Sequence, residues 1–200
     1  MTTKPLILAS ASPRRKYWFE AIRIPFESVV PSIDETPLTN EDPAEMVVRL
    51  SREKALSISV NNPGRWVLSA DTTVVVDYHI LGKPNDPQDA VRMLQLIQGR
   101  KHCVHTGVCL IRDDDIHQFV DTAEVYLRPL SSDQIQWYVA TGEPMDKAGA
   151  YAAQGIAALF IERIDGSFAT VMGLPIERLG SLFFELGLFD SWFERFKFGY

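Results

Sequence analysis

Alternation between apolar runs and helical patterns restricts the fold of this chain more than any other feature of its sequence. The apolar run Leu6–Ala9 predicts a strand, and a helix to Ile22 follows it. A strand over Phe26–Val30 and a helix over Ala44–Ser59 repeat the same order. Such alternation is typical of α/β proteins, in which helices cover a sheet that contains parallel strands.

Longer strands and hairpins follow in the second half. His102–Ile111 and Ile116–Tyr126 are predicted strands joined by the turn Arg112–Asp115, and Leu159–Ile164 and Phe168–Met172 are predicted to form a hairpin that turns at Asp165-Gly166. The other predicted elements are strands over Trp66–Ala70 and Thr72–Val76 and helices around Ala90–Ile97 and over Ser132–Ala140. No repeat or linker interrupts the pattern. We therefore predict an α/β fold with a mixed sheet, helices on both faces, and a single domain over residues 1–200.

Three helices are predicted to begin in the same way. Ser12-Pro13, Asp42-Pro43 and Asp86-Pro87 each place a side chain that can cap a helix before a proline. Proline is tolerated at the first helical position because its missing N–H would have no partner there. These dipeptides therefore predict helix starts.

The composition narrows the class of protein. The chain has 200 residues, of which 46% are hydrophobic and 23% charged, so it can bury enough apolar surface to fold. Its net charge of −6 argues against a protein that coats a nucleic-acid polymer, although a local basic cluster can still bind one small polyphosphate. No stretch approaches the ~20 apolar residues that span a bilayer, and the N-terminal apolar run is too short for a signal peptide. We expect a cytoplasmic protein with no membrane partner.

The two cysteines, Cys103 and Cys109, lie on one predicted strand. Their separation along a strand is ~20 Å, whereas a disulfide requires Cα atoms within ~7 Å. We therefore expect free thiols.

The loop after the first predicted strand has the composition of an anion site. Ser10-Ala11-Ser12-Pro13 leads into a helix that begins with Arg14 and Arg15. A helix N-terminus offers unpaired N–H groups and a partial positive charge, which suit a phosphate. A solvated basic turn is the alternative. The chain has neither the P-loop nor the dinucleotide-binding fingerprint.

Single charged residues at unusual positions are the next candidates. Lys54 falls on the apolar stripe of its predicted helix, where its ammonium must reach either water or an anion. Asp71 interrupts an apolar strand, so its carboxylate needs a cation, a metal or hydrogen-bond donors. Structural pairing and a functional role both fit these two residues. Glu35 in a proline-flanked loop and Lys83 in a turn would be unremarkable alone.

The segment from Asp146 to Gly155 is small-residue-rich and fits neither a helix nor a strand pattern. Small residues let a backbone approach a ligand closely. The amide of Gln154 offers both a donor and an acceptor, which can read the edge of a base. A plain surface loop is the alternative.

In combination these segments resemble the Maf family of nucleoside triphosphate pyrophosphatases, over roughly residues 5 to 187. The motifs that carry the resemblance are Ser10-x-Ser12-Pro13-Arg14-Arg15, Asp34-Glu35, Arg52-Glu53-Lys54-Ala55, Ala70-Asp71-Thr72, Gly82-Lys83-Pro84, Asp146-Lys147-Ala148-Gly149-Ala150-Tyr151 and Gly173-Leu174-Pro175. The resemblance implies an inosine-triphosphatase-like (Maf/Ham1) architecture, with an elongated mixed sheet, two lobes and a deep cleft. It also implies hydrolysis of a nucleoside triphosphate to the monophosphate and pyrophosphate with a divalent cation, Mg²⁺ or Mn²⁺.

The resemblance also assigns roles to individual residues. Asp71 matches the proton acceptor, and Glu35 matches a second acid that would hold the metal together with Asp71. The residues that match phosphate-binding positions are Ser10, Arg15, Lys54 and Lys83, and those that match base-selecting positions are Arg14, Thr72 and Gln154. The pattern is closer to the subgroup that acts on dTTP and UTP, with modified pyrimidine nucleotides as further candidates, than to the 7-methyl-GTP subgroup. A 7-methyl-GTP pyrophosphatase and a nucleotide-binding regulator of cell division are the alternatives.

The C-terminal segment carries an aromatic stripe that the resemblance does not explain. The stripe consists of Leu186, Phe189, Trp192, Phe193 and Phe196 at helical spacing. Packing on the core, a homodimer contact and membrane contact are the three explanations. Membrane contact is the weakest, because the opposite face is not basic.

Overall fold

The computed structural model describes residues 4–189. Its strands are β1 (Leu6–Ala9), β2 (Phe26–Val29), β3 (Val67–Val76), β4 (His79–Leu81), β5 (Lys101–Arg112), β6 (Asp115–Leu127) and β7 (Ile161–Asp165). Its α-helices are α1 (Pro13–Ala21), α2 (Pro43–Ser59), α3 (Pro87–Ile97), α4 (Ser132–Ala140), α5 (Phe168–Val171) and α6 (Ile176–Glu185). Three short 3₁₀ turns lie between α4 and β7, at Glu143–Asp146, Ala148–Ala150 and Ile156–Phe160.

The described strands form one seven-stranded mixed sheet. Its order is β2-β1-β3-β5-β6-β7, and β4 pairs with β3 beside this path. β1 is parallel to both β2 and β3, whereas the pairs β3–β5, β5–β6 and β6–β7 are antiparallel. The predicted α/β class and mixed sheet are confirmed.

Alternation along β1 shows how the sheet is covered on two faces. Leu6 and Leu8 belong to a core cluster with residues of α1 and α6, whereas Ile7 and Ala9 pack in a different cluster with Ala55 of α2. Successive side chains of a strand point to opposite faces, so helices lie on both sides of the sheet. None of the helices formed by residues 4–189 is long and apolar enough to cross a membrane.

Two large core clusters occupy different ends of β3. Leu68 and Ala70 pack with α1 and α6, whereas Val74 and Val76 pack in the cluster that contains α3 and α4. The two-lobed shape stays a prediction. Asp71, a central residue of β3, falls between the two clusters.

Gly107 allows α2 to approach the sheet closely. This glycine lies on β5 opposite Asp71, and a Cβ atom at its position would be only 2.3 Å from the carbonyl oxygen of Val47. Any side chain at 107 would therefore push α2 away from the sheet. The close approach brings Lys54, two turns further along α2, beside β3.

Two of the three proline-preceded helix starts are capped by a side chain. Asp42 accepts hydrogen bonds from the N–H groups of Ala44 and Glu45, and Asp86 accepts one from Asp89. Ser12 stands at the cap position of α1 but makes no side-chain cap hydrogen bond. All three predicted starts are confirmed, and the Ser12 hydroxyl is not used by the helix.

One predicted hairpin is wrong. Leu159–Ile164 and Phe168–Met172 do not pair: β7 pairs with β6, and Phe168–Val171 is the short helix α5. Ser167 causes the difference, because its hydroxyl accepts hydrogen bonds from the N–H groups of Ala169 and Thr170 and so starts a helical turn. Short apolar runs do not distinguish the two structures.

Smaller expectations have mixed outcomes. The two strands predicted over Trp66–Ala70 and Thr72–Val76 are one continuous strand, because Asp71 pairs with Gly107 without a break. Cys103 and Cys109 are free thiols, as predicted.

In the aromatic stripe, Leu186 and Phe189 are half-buried against the cluster that contains α1 and α6. The other three stripe residues lie outside the described residues.

Candidate active site

A cleft of about 610 Å³ contains every site residue that the sequence predicts. These residues are Ser10, Arg14, Arg15, Glu35, Lys54, Asp71, Thr72, Lys83 and Gln154. They come from α1, α2, β3 and four connecting segments, so the fold brings together positions that are far apart in the sequence.

Lys54 joins two carboxylates at the centre of the cleft. Its Nζ atom lies 2.6 Å from Oδ1 of Asp71 and 2.9 Å from Oε2 of Glu35. The side chains of Lys54 and Asp71 are only 9% and 12% exposed, whereas that of Glu35 is 59% exposed. Of the two alternatives for Lys54, the structure thus shows a buried, paired ammonium rather than one that extends to the surface. We call these three residues the carboxylate end of the cleft.

Arg15 is held by three acceptors. Its Nε atom donates to the carbonyl oxygen of Gly173 at 2.8 Å, Nη2 to Oγ1 of Thr72 at 3.0 Å, and Nη1 to Oγ of Ser10 at 3.4 Å. Burial lowers the pKa of the Arg15 guanidinium, and the nearby Asp71 carboxylate opposes that effect. A positive charge is therefore fixed in the wall of the cleft.

Ser10 and Ser12 present polar groups beside Arg15. Ser10 is buried at the end of β1, and its hydroxyl accepts a hydrogen bond from the N–H of Ser12 at 3.1 Å. Lys83 is exposed at the cleft edge, and the carbonyl oxygen of the preceding Gly82 accepts a hydrogen bond from Gly149. The basic groups thus stand on several sides of the cleft.

Arg14 and Gln154 also line a second, more apolar hollow of about 450 Å³ that adjoins the cleft. Its other lining residues are Pro13, Tyr17, Trp18, Phe168 and Met172. Aromatic side chains next to an amide and a guanidinium suit the stacking and edge recognition of a base. We call Arg14, Gln154 and this hollow the loop end of the cleft.

Glu143 holds the segment that carries Gln154. Its carboxylate accepts hydrogen bonds from the hydroxyl of Tyr138 at 2.8 Å and from the N–H groups of Ile156 and Ala157 at 2.9 and 3.2 Å. A Cβ atom at Gly155 would lie 2.3 Å from the same carboxylate, so a side chain there would displace the carboxylate from its present position. The turn beside Gln154 is therefore built around one half-buried carboxylate.

A buried histidine, His102, contacts the same segment through the hydroxyl of Tyr151. Nε2 of His102 lies 2.8 Å from the hydroxyl of Tyr151, and burial lowers the pKa of His102 to about 4. Tyr151 is itself buried and lines the cleft. This imidazole is neutral at pH 7.

Sequence reasoning did not assign functions to several residues at the site. Lys147 lines the cleft, donates to the carbonyl oxygen of Glu143 at 3.0 Å and pairs with Asp146, but the sequence predicts no role for it beyond its place in a motif. The sequence also gives no sign of the supporting contacts of Glu143 and Tyr138. No periodic pattern marks them, because their contacts depend on the tertiary fold.

The carboxylate end fits a divalent cation of the Mg²⁺ type. Two carboxylates converge on a single ammonium, so their oxygens already face a common cation. Among residues 4–189 no group of three or more His, Cys, Asp or Glu side chains is placed to hold a metal. Mg²⁺ is commonly bound by one or two carboxylates together with substrate phosphates. Glu35 and Asp71 match that donor set.

Fold and cleft together define the class: an α/β protein whose cleft combines basic groups for an anion with a carboxylate pair. The profile of the family described as "Maf-like protein" matches residues 5–186 of the chain. The chain belongs to the Maf family.

Curated relatives cover nearly the whole chain. The dTTP/UTP pyrophosphatase of Symbiobacterium thermophilum is 49% identical over 182 residues, which are 91% of this chain and 94% of the relative. The dTTP/UTP pyrophosphatase of Thermus thermophilus is 43% identical over 183 residues, 92% of this chain and 95% of the relative. Among solved structures, that of the Staphylococcus aureus Ham1 protein aligns with a TM-score of 0.41 and 15% identity, covering 78% of this chain and 91% of that one.

Proposed function

We propose that this protein is a nucleoside triphosphate pyrophosphatase that hydrolyses dTTP and UTP to the monophosphate and pyrophosphate. The observation that carries the proposal is the buried Lys54–Asp71 pair, with Glu35 on the same ammonium, inside a cleft walled by basic groups. Relatives named dTTP/UTP pyrophosphatase, at 43–49% identity over most of the chain, support the choice of substrates.

In this reaction a water molecule attacks the α-phosphorus of the triphosphate, and the bond from that phosphorus to the oxygen that bridges to the β-phosphate breaks, so that pyrophosphate leaves. Asp71 accepts the proton that the water loses, through the oxygen that Lys54 does not hold. Lys54 keeps that carboxylate oriented. A positioned general base commonly accelerates such a step by about 10²–10⁴.

The basic groups stabilise the negative charge that develops on the phosphate oxygens. Arg15 is already fixed by its three acceptors, so its charge needs no rearrangement when the substrate binds. Lys83 is exposed and reaches the phosphates from the cleft edge, while Ser10 supplies a hydroxyl. A divalent cation held by Glu35 and Asp71 would add charge neutralisation at the phosphates.

At the loop end, the NH₂ group of the Gln154 amide donates to O4 of uracil or thymine. Arg14 and Thr72 close the same end, and the aromatic side chains of the adjoining hollow stack on the ring. We also propose that the enzyme is cytoplasmic and depends on Mg²⁺ or Mn²⁺. The single domain and the homodimer stay predictions.

A product analysis with purified protein tests this function. UTP, dTTP, CTP and 7-methyl-GTP are incubated with Mg²⁺ or Mn²⁺, and the products are separated by anion exchange. We expect UMP and pyrophosphate from UTP in equal amounts, the analogous products from dTTP, and activity only with a divalent cation. Formation of UDP and phosphate, preference for 7-methyl-GTP, or nucleotide binding without turnover would each refute the proposal.

A further inference from the structure

Two threonine hydroxyl groups and one backbone carbonyl group form a continuous row of hydrogen bonds at the wall of the cleft. Thr106 lies on β5, directly opposite Thr72 of β3, and is fully buried. Its Oγ1 atom donates to the carbonyl oxygen of Thr170 at 2.8 Å and lies 3.0 Å from Oγ1 of Thr72. The row ends at Arg15, whose Nη2 atom donates to Oγ1 of Thr72.

The number of hydroxyl hydrogens in this row determines which group donates in each hydrogen bond. A carbonyl oxygen cannot donate, so the single hydroxyl hydrogen of Thr106 is used on Thr170. The contact between the two threonines therefore requires Thr72 to donate its own hydrogen to Thr106. Since Arg15 fills one lone pair of the Thr72 oxygen, that oxygen has one lone pair left and no hydrogen for a ligand.

Thr72 is half-buried at the wall of the cleft, so a bound ligand can approach its hydroxyl oxygen. Thr72 lines the cleft, and a Cβ atom at the neighbouring Gly173 would lie 3.1 Å from its Oγ1 atom. The missing side chain at 173 leaves this oxygen uncovered. Met172, the preceding residue, borders the hollow that Arg14 and Gln154 share. The Thr72 oxygen thus stands next to the loop end.

We propose that Thr106 is a positioning residue for base selection: it holds the Thr72 hydroxyl as a pure hydrogen-bond acceptor, which favours bases with a ring N–H over bases with a bare ring nitrogen. This inference rests on the proposed function. Uracil and thymine carry a hydrogen at N3, whereas cytosine presents a lone pair there. A Thr72 hydroxyl free to turn could donate to cytosine N3, and Thr106 prevents that turn.

Two substitutions at 106 test the inference. Thr106→Val keeps the shape of the side chain but removes the acceptor for Thr72, whereas Thr106→Ser retains the hydroxyl. The readout is the ratio of kcat/KM for UTP to kcat/KM for CTP, which differ in the base alone. We expect Thr106→Val to lower this ratio about tenfold, the effect of roughly one hydrogen bond, and Thr106→Ser to restore most of the wild-type ratio.

A double substitution shows whether Thr106 acts through Thr72. In the Thr72→Val background, Thr106→Val should change the ratio no further, because the hydroxyl it orients is gone. Thr106→Ala removes the same hydroxyl with different packing and serves if Thr106→Val does not fold, as judged by circular dichroism. It should shift the ratio in the same direction.

The outcomes separate this inference from the function on which it rests. Equal losses with UTP and CTP in the valine and alanine variants, leaving the ratio unchanged, would overturn the inference and reduce Thr106 to a structural residue. An additive effect in the Thr72→Val background would overturn it as well. If the wild-type protein turns over neither nucleotide, the proposed function itself fails, and that result is visible before any variant is made.

Discussion

The two ends of the cleft are built differently. At the carboxylate end, Lys54 and Asp71 stand on the regular elements α2 and β3, and their charges meet each other directly. At the loop end, Gln154 stands on an irregular turn that is held in place by Glu143. Residues on regular elements are positioned by the packing of the whole core, whereas a loop residue is positioned by a few local hydrogen bonds.

This difference separates two tasks within one proposed enzyme. Attack on a phosphoric anhydride needs charges at fixed positions, which the sheet and α2 provide. Choice among bases can be altered by changing a loop and the acceptor that holds it, without disturbing the charges. Substitutions at the two ends should therefore differ in kind as well as in size: one set should reduce turnover of every nucleotide, and the other should change preference.

The largest effect is expected at the carboxylate end. Asp71→Asn is nearly isosteric and removes the proton acceptor, so kcat for UTP should fall about 10²–10⁴-fold. Binding of UTP, measured by isothermal titration calorimetry, should persist. The fall should be the same with dTTP. A variant that retains more than about a tenth of the wild-type kcat would show that Asp71 is not the general base.

A pH-dependent loss of stability is expected from the histidine beneath the loop end. Burial lowers the pKa of His102 from 6.5 to about 4, so the folded protein binds this proton less readily than the unfolded chain does. The stabilisation is present above pH 6.5 and is lost as the pH falls toward 4, by roughly 3 kcal/mol. Urea unfolding between pH 7 and 4 measures it.

His102→Gln should flatten that pH dependence, whereas His79→Gln, at an exposed position of β4, should leave it unchanged. Because carboxylates elsewhere also titrate in this range, the difference between the two variants is the quantity to compare. Identical pH profiles for both variants would show that His102 is not the group responsible.

A smaller effect is expected at the loop end itself. Glu143→Gln replaces a carboxylate that accepts from three donors with an amide that must turn its NH₂ group toward one of them. We expect the preference for UTP over ATP in kcat/KM to fall about fivefold, corresponding to roughly 1 kcal/mol for one lost hydrogen bond.

Glu124→Gln is the matched control for that variant. Glu124 lies on β6 and also accepts a hydrogen bond from a tyrosine hydroxyl, that of Tyr126 at 2.7 Å, but it does not line the cleft. Its substitution should leave the nucleotide preference unchanged. If both variants alter the preference equally, the contacts of Glu143 with the turn are not what positions Gln154.

The same contrast explains what could be predicted from the sequence. Lys54 was identified by its place on an apolar stripe and Asp71 by its place in an apolar strand, because both patterns follow from the geometry of regular elements. Their direct contact was not predicted. It depends on how closely α2 approaches β5 at Gly107, which is a property of the tertiary packing.

The loop end could be predicted only through family resemblance. The composition from Asp146 to Gly155 indicated an irregular segment, and the family resemblance assigned Gln154 to base selection, but nothing local pointed to Glu143 or Tyr138 as its supports. In the same way, the pairing of Thr72 with Thr106 follows from the register of β3 and β5. Hydrogen bonds between residues distant in sequence leave no periodic pattern to detect.

One measurement tests most directly the claim that phosphate handling and base choice are separate tasks of the cleft. The ratio of kcat/KM for UTP to kcat/KM for ATP is determined for Lys83→Ala, which removes an exposed cation at the cleft edge, and for Gln154→Ala, which removes the amide at the loop end. The account predicts that Lys83→Ala lowers kcat/KM for both nucleotides equally and preserves the ratio. Gln154→Ala should lower the ratio about tenfold, because unmet hydrogen bonds to the uracil edge cost roughly 1–3 kcal/mol. A ratio that changes with Lys83→Ala and stays constant with Gln154→Ala would contradict the account.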